Sequence, residues 1–282
     1  MTRTMATQRE KAALLRSLHR PGKPLVLINV WDAVSARVIE RLGFPALATT
    51  SAGVAWLEGY ADGERISRER MLAGVARVTR AVNLPVTADL EAGYGASLEA
   101  ATATAEGAIE AGAVGLNFED WDSQRQALQE LDAHLERIQA IRKSGDEKGL
   151  PLVINARTDV FLNDVGDSDA WRLQEAVRRA NAYLEAGADC AFVPGVTDER
   201  TIAALAAQIQ GPINVLAGAA TPSVQRLSEL GVARISVGAS AMAYVLTQLH
   251  QIANDVKETG RFDFSTKRLS HAQVNALFDT RA

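Results

Sequence analysis

The sequence predicts a (β/α)8 barrel of the TIM type, and two observations lead to it. Short runs rich in Val, Ile and Leu recur along the 282 residues without alternating polar positions, which is typical of strands buried on both faces. Stretches of helical character lie between these runs. Eight strand–helix units in one chain favour a barrel. The runs are 24–30, 45–51, 84–90, 113–119, 151–157, 190–194, 212–218 and 233–238.

The helices follow the strands in order. After the third, fourth, fifth and seventh runs come "SLEAATATAEGAIEAGA", "LDAHLERIQAIRKSG", "WRLQEAVRRANAYLEAGA" and "TPSVQRLSELGVA". Several end in Ala-Gly-Ala or Leu-Gly, where glycine can cap a helix. The alternative, a doubly wound open sheet, would place a phosphate-binding glycine fingerprint after the first strand, and "NVWDAVSAR" stands there instead. We expect one barrel domain over 1–282, with a helical tail over 239–282.

Composition excludes several classes of protein. The net charge of −4 and the lack of a basic run argue against nucleic-acid binding. Cys190 is the single cysteine, so an internal disulfide is excluded and a reducing compartment is favoured. The first twenty residues lack the apolar core of a signal peptide, and no apolar run approaches the ~18–20 residues of a membrane span. We expect a cytoplasmic protein.

Acidic residues collect where the predicted strands end, which is where barrel enzymes hold their chemistry. Crowded carboxylates repel one another unless a cation lies between them. Oxygen ligands without His or Cys favour Mg²⁺, with Mn²⁺ as the alternative. The residues at these ends are Trp31 and Asp32, Ser51 to Gly53 with Asp62, Asp89 and Glu91, Glu119 and Asp120, Arg157 and Asp159, then Pro194 and Asn214.

The stretch "ADLEAGYG" carries the predicted metal site. Asp89 and Glu91 are two apart in a strand, so they can face one ion together, directly or through its waters. Gly93 and Gly95 would let a substrate approach the backbone closely. The structural alternative is that such acids cap helices or pair with basic residues. We assign that role to Asp32, Asp120 and Asp159, and a packing role to Cys190. His19, His134, His250 and His271 are expected to be surface or packing residues, and Trp31 either lines the pocket or packs in the core.

Four motifs in family-like order, "TTSAG", "ADLEAGYG", "GLNFED" and "NARTDVF", resemble the isocitrate lyase and phosphoenolpyruvate mutase superfamily. The resemblance runs from about Pro24 to the end of the eighth strand. It implies a Mg²⁺-dependent barrel that acts on small 2-oxo acids through an enolpyruvate-like state. It also implies that the last barrel helix is exchanged between subunits, so we expect a homo-oligomer, a dimer of dimers.

The resemblance also implies roles for individual residues. Asp89 would be the direct metal ligand, although the family has Asp where Glu91 stands. Arg157 would hold the substrate carboxylate or the enolate oxygen. Asp62, Glu91 and Glu119 would hold metal-bound waters, with Arg157, Glu119 and Asp62 as the catalytic set. Ser51 and the amides of Ala52 and Gly53 would bind the other carboxylate. From their positions at or near the strand ends, and not from the resemblance, we add Trp31, Gly93 and Asn214 to the predicted substrate-binding set.

The reaction stays open because two stretches depart from the family. The loop "EDWDSQRQALQELD" lacks the Cys and His of the isocitrate and methylisocitrate lyases and the Lys and Asn of the phosphonate mutases. The seventh-strand region "NVLAGAAT" lacks the histidine of the decarboxylating members. Three hypotheses follow. They are a carbon–carbon lyase or decarboxylase on a 2-oxo or 2-hydroxy di- or tricarboxylate, a phosphonopyruvate-type enzyme, and a non-catalytic 2-oxo-acid binder. Under the first, isocitrate and methylisocitrate should be poor substrates.

Overall fold

The computed structural model describes residues 7–279 and contains a parallel sheet surrounded by helices. The strands are β1 Leu25–Leu27, β2 Asn29–Val30, β3 Leu47–Thr49, β4 Val86–Asp89, β5 Gly115–Glu119, β6 Trp121–Asp122, β7 Ala127–Leu128, β8 Val153–Arg157, β9 Cys190–Phe192, β10 Ile213–Leu216 and β11 Arg234–Ser236. The helices are α1 Gln8–Ser17, α2 Ala33–Arg41, α3 Ser51–Leu57, α4 Arg68–Ala81, α5 Leu98–Glu110, α6 Leu131–Glu147, α7 Asp169–Glu185, α8 Glu199–Gln208, α9 Val224–Glu229, α10 Ser240–Thr259, the 3₁₀ helix Asp263–Lys267 and α11 His271–Ala276.

The sheet closes through its first strand. β1 and β2 are separated by one residue, Ile28, and β1 pairs with β11 while β2 pairs with β3. Every pairing in the nine-stranded sheet is parallel, in the order β1-β11-β10-β9-β8-β5-β4-β3-β2. Counting β1 and β2 as one strand gives the eight strands of the predicted barrel, and the α/β barrel fold is confirmed.

The helices around the sheet begin at side chains that satisfy their first-turn amides. Ser67, Ser97 and Ser168 cap α4, α5 and α7, and each hydroxyl accepts from the amide three residues on. Asp198 and Ser223 cap α8 and α9 in the same way. Such caps stabilise a helix by about 1 kcal/mol each. These Ser and Asp residues therefore indicate in the sequence where each of these helices begins.

Residues on the two faces of the strands differ in polarity. The outward face is apolar: Val215 of β10 packs with Ile202 and Leu205 of α8 in one buried cluster. The inward face is polar at its middle layer. Asn155 donates to Oδ1 of Asn117 at 2.8 Å, and Nη2 of Arg234 donates to the same oxygen at 3.1 Å. Asn214 and Ser236 exchange hydrogen bonds in the same interior.

Helix α1 closes the amino-terminal end of the barrel. Leu15 is fully buried, and its Cδ2 would lie 3.0 Å from a Cβ placed on Gly115 at the start of β5. His19 follows the helix, and its Nε2 lies 3.4 Å from Nη1 of Arg234. Burial, with the Arg234 charge, lowers the pKa of His19 to about 4. Arg234, in the barrel interior, therefore contacts the neutral His19 ring on the amino-terminal side and Asn117 on the side of the strand carboxyl ends.

Helix α10 leaves the barrel with an apolar surface. Met242 is its one buried residue among those described, whereas Tyr244, Val245 and Leu249 are 66%, 52% and 60% exposed. A single chain does not test subunit exchange, which stays a prediction. Among the helices of residues 7–279, none combines the length and the apolar character needed to cross a membrane.

Asn29 should be essential to barrel closure. Its Nδ2 donates to the carbonyl of Thr49, and its Oδ1 accepts from the amides of Val237 and Gly238. Asn29→Ala leaves one buried and two partly buried backbone groups without these partners and should lower the free energy of unfolding by about 2–4 kcal/mol. Urea denaturation followed by circular dichroism measures this.

Asn181 provides the matched control, because its side chain also binds two backbone groups but at exposed positions. Asn181→Ala should cost less than about 1 kcal/mol, since water replaces the lost partners. Equal losses in the two variants would show that Asn29 does not stabilise the closure.

Candidate active site

Asp89, the last residue of β4, lies at the centre of the acidic mouth. Its Oδ2 accepts hydrogen bonds from the amide and the hydroxyl of Ser51, at 3.0 and 2.9 Å. Its Oδ1 accepts from Nδ2 of Asn117 at 3.1 Å. Three donors, two from Ser51 at the start of α3 and one from Asn117 of β5, thus fix the orientation of a buried carboxylate.

The first turn of α3 lies directly against Asp89. Thr50 caps the helix, and a negative charge at a helix amino terminus is favourable. The backbone approaches its neighbours closely here. A Cβ on Gly53 would lie 2.6 Å from Cγ2 of Thr50 and 2.9 Å from Cβ of Trp31. Trp31 therefore packs on the turn that carries Ser51, and Ala52 is buried beside it.

Glu91, Glu64 and Tyr94 form an interlocked group on two loops. Oε2 of Glu91 accepts from the amide of Glu64 at 2.6 Å, and its Oε1 accepts from the Tyr94 hydroxyl at 3.0 Å. Oε1 of Glu64 in turn accepts from the amide of Tyr94 at 2.6 Å. All three have positive φ, 57°, 50° and 56° for Glu64, Glu91 and Tyr94. That conformation costs about 1–3 kcal/mol for each such residue, and the hydrogen bonds maintain it.

Arg137 of α6 supports this loop from the core side. It is 1% exposed, and its Nη2 donates to the carbonyls of Ala92 and Gly95. Its guanidinium lies 4.7 Å above the Phe118 ring. A Cβ on Gly93, at φ +90°, would lie 2.7 Å from Cε2 of Phe118. Gly93 therefore faces this packing contact, and its substrate-binding role stays a prediction.

Arg157, at the end of β8, is the cation of the mouth. Its Nε and Nη2 donate to the two oxygens of Asp159 at 2.5 and 2.8 Å, and its Nη1 forms an ion pair with Glu119 at 2.9 Å. Its guanidinium lies 5.7 Å from the Phe192 ring. Burial opposes the charge, but Glu119 and Asp159 outweigh it and raise the pKa of Arg157. Asp159, assigned a structural role, orients this guanidinium.

The carboxylates at the carboxyl-terminal mouth of the barrel, Asp62, Asp89, Glu91 and Glu119, outnumber Arg157, the cation that lies among them. Burial, with the charges of Asp62 and Asp89, raises the pKa of Glu91 to about 8. Burial and then Asp89 raise the pKa of Asp62. The pKa of Glu119 is raised well above its ordinary value by burial and by neighbouring acids, although Arg157 opposes the shift. Mutual repulsion of this kind indicates a site for a cation.

The donor set fits Mg²⁺ held mainly through water. No group of three or more His, Cys, Asp or Glu side chains within residues 7–279 is close enough to hold an ion. Mg²⁺ commonly binds one or two carboxylates and keeps several waters. Asp89 could provide the direct contact. Asp62, Glu91 and Glu119 could then hold the waters, and a divalent charge would relieve the repulsion that raises their pKa values.

Other predicted residues lie outside this centre. Asn214 lies in the interior layer, bonded to Ser236, and its role in substrate binding stays a prediction. Asp32 caps α2 by accepting from the amide of Ser35. Asp120 is fully buried and accepts from the Tyr183 hydroxyl and Arg179. Cys190 is a buried free thiol whose pKa burial raises to about 12. These observations agree with the structural roles assigned to Asp32, Asp120 and Cys190.

The loop after the fourth strand forms a short hairpin of β6 and β7. Asp122 accepts from the amides of Gln124 and Arg125 in its turn. The Arg125 side chain is 84% exposed. The hydroxyl of Ser123 lies 3.5 Å from the carbonyl of Gly63. The hairpin therefore meets the loop that carries Asp62 through one weak contact.

Sequence reasoning missed four residues that orient the acids: Asn117, Glu64, Tyr94 and Arg137. Glu64 and Tyr94 stand in the glycine-containing stretches "DGER" and "AGYG", and such stretches indicate turns where a side chain can bind nearby backbone. Asn117 lies two residues before Glu119, so strand periodicity places both on the inward face. Arg137 sits within a helix and gives no comparable signal.

Comparisons with known proteins agree on one family. The model of the phosphoenolpyruvate phosphomutase family matches residues 15–257. The chain is 30% identical to a 2-methylisocitrate lyase of Escherichia coli K12, over 73% of each chain. It is 32% identical to an oxaloacetate decarboxylase of Rhodopseudomonas palustris, over 73% of this chain and 70% of that one. A Burkholderia cenocepacia J2315 structure, provisionally assigned as a phosphonomutase, has a TM-score of 0.84 and 42% identity, covering 88% of this chain and 99% of that chain.

Asp89→Ala should abolish Mg²⁺ binding and leave the fold intact. Asp89 lies at the mouth, and its loss removes the one carboxylate positioned as a direct ligand. Calorimetric titration with Mg²⁺ and oxalate measures the affinity, and circular dichroism reports the fold. Asp32→Ala, which removes the cap of α2 on the loop after β2, should bind Mg²⁺ as the parent does. Unchanged affinity in Asp89→Ala would contradict the assignment.

Mg²⁺ affinity should rise with pH. Below pH 8 Glu91 carries a proton in the metal-free protein, because its pKa is about 8. The ion must displace this proton. The apparent affinity should therefore rise up to about tenfold per pH unit between pH 6 and 8 and level off above. Calorimetry in two buffers of different ionisation enthalpy would count the released protons.

Glu91→Gln cannot release a proton, so its Mg²⁺ affinity should lose the part of the pH dependence centred near pH 8. An affinity of the parent protein that stays flat between pH 6.5 and 8.5 would show that Glu91 does not titrate against the metal.

Proposed function

The chain belongs to the phosphoenolpyruvate phosphomutase family, and we propose that it is a Mg²⁺-dependent carbon–carbon lyase. Its substrate would be a small 2-oxo or 2-hydroxy carboxylic acid with two or three carboxylates. A bond to the carbon next to the 2-oxo or 2-hydroxy carbon would break or form through an enolpyruvate-like state. The observation that supports this most directly is the group of buried carboxylates Asp89, Glu91 and Glu119, with Arg157 beside them.

Two elements of the mouth would bind the substrate. The Arg157 guanidinium is oriented by Asp159 and has N–H donors beyond those that Asp159 takes. A planar guanidinium suits a carboxylate or an enolate oxygen. In the first turn of α3, the amide and hydroxyl of Ser51 donate to Asp89 and the amide of Gly53 donates to Thr50. A second carboxylate would bind there through the amide of Ala52 and would compete with these acceptors for Ser51 and Gly53.

The protein's own groups would then favour the enolate. Mg²⁺, when bound, would polarise the oxygen at C2 and reduce the repulsion between the acids. In a 2-oxo acid, the electron pair of the breaking bond at C3 would pass into the C2–C3 enolate, and Arg157 would bind its oxygen. In a 2-hydroxy acid, the C2 hydroxyl would give its proton to a carboxylate of the mouth and become a carbonyl, and the electron pair of the C2–C3 bond would pass into the enolate of the carboxylate on C3. Asp159 keeps the guanidinium in place during this step, so the protein does not need to reorganise as charge develops.

The hairpin sets a limit on this chemistry. The stretch from Trp121 to Glu130 contains neither cysteine, histidine nor lysine, so a general acid of the lyase type is absent from it. General acid–base assistance contributes about 10²–10⁴ in rate. We therefore propose that the natural substrate has a departing group that needs little help from this loop.

A phosphonopyruvate-type enzyme is the second candidate. The observation in its favour is the 42% identity to the Burkholderia cenocepacia structure provisionally assigned as a phosphonomutase. The hairpin of this chain lacks the Lys and Asn that the mutases of the family carry. Release of phosphate from phosphonopyruvate would support this candidate over carbon–carbon cleavage.

The exposed face of α10 supports the proposal of a homo-oligomer. Trp56 of α3 and Leu246 of α10 line one groove with Ala243, Thr247 and His250, and a second copy's α10 would cover it.

We expect a tetramer, a dimer of dimers, with four times the 30.2 kDa mass of the chain. Light scattering at micromolar concentration measures the mass. Leu249→Glu on α10 should dissociate the assembly, whereas Val224→Glu on the exposed face of α9 should not. A monodisperse parent monomer would contradict the proposal.

The proposed activity can be tested with a panel of small 2-oxo and 2-hydroxy acids under saturating Mg²⁺. We expect at least one acid to release pyruvate or glyoxylate.

Arg157→Lys should bind that acid about tenfold to a thousandfold more weakly, because an ammonium replaces a guanidinium that can donate two parallel hydrogen bonds to a carboxylate. Lys148→Ala, on the surface, is the control. Oxalate binding without turnover of any acid would favour the non-catalytic binder. Equal affinity in Arg157→Lys would remove Arg157 from the carboxylate site.

A further inference from the structure

A buried arginine of α6 holds the acidic loop, residues 90–96, on its core side. We propose that this residue, Arg137, is a positioning residue of the candidate metal site, and that Gln129 at the root of the hairpin orients it. Arg137 keeps Glu91 in the place from which it can hold a metal-bound water. The inference rests on the proposed function, because it concerns the same Mg²⁺ site.

The acidic loop follows a path that its own residues do not favour. Glu91, Gly93, Tyr94 and Gly95 have φ of 50°, 90°, 56° and 140°. Four of these five consecutive residues therefore lie outside the regions that most side chains adopt. The two that are not glycine are strained by it. Donors from outside the loop must stabilise this path, and Glu91 is the first residue on it.

Side chains on the core side bind three carbonyls of the loop. Nη2 of Arg137 donates to the carbonyls of Ala92 and Gly95, the second at 2.7 Å. Oγ1 of Thr104, which is buried, donates to the carbonyl of Gly93 at 2.8 Å. Because one nitrogen of Arg137 binds carbonyls three residues apart, it fixes the turn of the loop between them.

The carbonyl contacts also set the direction of a loop amide. The C=O and the N–H of a trans peptide point in opposite directions. The carbonyl of Gly93 is turned to the core, and the amide of the same peptide, that of Tyr94, donates to Oε1 of Glu64 at 2.6 Å. The amide of Glu64 donates in turn to Oε2 of Glu91 at 2.6 Å. The path of the loop therefore determines where the Glu91 carboxylate lies.

The Arg137 guanidinium is itself held in one orientation. It lies 4.7 Å above the Phe118 ring, and a Cβ on Gly93 would lie 3.2 Å from its Nη2. Its Nη1 donates to Oε1 of Gln129 at 2.5 Å. Burial lowers the pKa of Arg137 to about 10, so the group is charged at neutral pH. A charged donor forms stronger hydrogen bonds to carbonyls than a neutral one.

Gln129 is anchored independently of its side chain. It follows β7, and its amide donates to the carbonyl of Asp120, the residue before β6, at 2.7 Å. Its carbonyl accepts from Nη1 of Arg179 at 3.0 Å. Its Oε1 is therefore a fixed acceptor for Arg137, and a substitution can remove this acceptor without removing the backbone contacts of the hairpin root.

The charge and the hydrogen bonds of Arg137 predict opposite effects on the metal. A buried cation near the mouth repels Mg²⁺, because charges are weakly screened in the interior. Loss of the charge alone would therefore tighten metal binding. Loss of the hydrogen bonds releases the loop and should weaken it, and removing a residue that orients a metal ligand typically costs about 10–100-fold in affinity. The direction of the change identifies the role.

Arg137→Met removes the charge and the donors but keeps an unbranched side chain against Phe118. Calorimetric titration of the full chain with Mg²⁺ and oxalate should show an affinity about 10–100-fold below that of the parent. Gln129→Leu should weaken the affinity severalfold, since Arg137 loses its orienting acceptor. Gln129→Glu keeps an acceptor and should bind Mg²⁺ at least as tightly as the parent.

Arg142→Met, on the same helix, is the matched control. Arg142 also donates to backbone carbonyls, those of Leu152 and Gly187, but these lie before β8 and β9 at the amino-terminal end of the barrel. Its loss should lower the free energy of unfolding and leave the Mg²⁺ affinity unchanged. Hydrogen exchange measured by mass spectrometry without metal should be faster over 90–96 in Arg137→Met than in Arg142→Met.

The outcomes separate this inference from the proposal on which it rests. If Arg137→Met binds Mg²⁺ and oxalate as tightly as the parent, or if Arg142→Met loses as much affinity, Arg137 is not a positioning residue and the metal-dependent site stands. If circular dichroism shows that Arg137→Met does not fold, Gln129→Leu decides, and an affinity equal to that of the parent overturns the inference. If oxalate fails to bind the parent in the presence of Mg²⁺, the proposed function fails, and the positioning role fails with it.

Discussion

Repulsion between buried carboxylates is the constraint on which the arrangement of the mouth depends. Asp89, Glu91 and Glu119 are all buried, and the charges of Asp89 and Glu91 act on Glu119. A folded chain accepts such crowding when donors fix each acid and some charge is neutralised. The donors come from backbone amides, hydroxyls and amides of side chains. Arg157 neutralises part of the negative charge of these acids. A divalent cation would neutralise the part that Arg157 leaves.

The donors around Asp89 belong to a polar connection that runs through the barrel. His19 at the amino-terminal end contacts Arg234, Arg234 donates to Asn117, and Asn117 donates to Asp89. Because the oxygen of Asn117 accepts from Arg234 and Asn155, its NH₂ group must point towards Asp89. The hydrogen bonds from Arg234 and Asn155 thus fix the orientation of the Asn117 side-chain amide. The buried cation also adds a favourable field to the acids above it, since its influence is weakly screened in the interior.

The sequence predicted the barrel well because its signals are local and repeated. Each strand is a short apolar run, and the capping serines mark where helices start. The end of a strand also identifies Asp89, Glu119 and Arg157 as mouth residues, since parallel strands end on one side of a barrel. The contacts of Glu64 with Tyr94, and of Arg137 with the carbonyls of Ala92 and Gly95, were beyond prediction. They depend on loop conformations with positive φ and on a helix position that no periodicity distinguishes from an ordinary surface arginine.

The interlocked group of Glu64, Glu91 and Tyr94 has a consequence for the order of folding. Each residue is held in its unfavourable conformation by a group from another, so none gains by adopting it first. We therefore expect the two loops to order together, after β3 and β4 have brought their ends into place. The barrel walls can form and persist while the mouth is still unformed. We therefore expect the acidic mouth to order late and cooperatively, with its own local opening equilibrium at a free energy below the global stability of the chain.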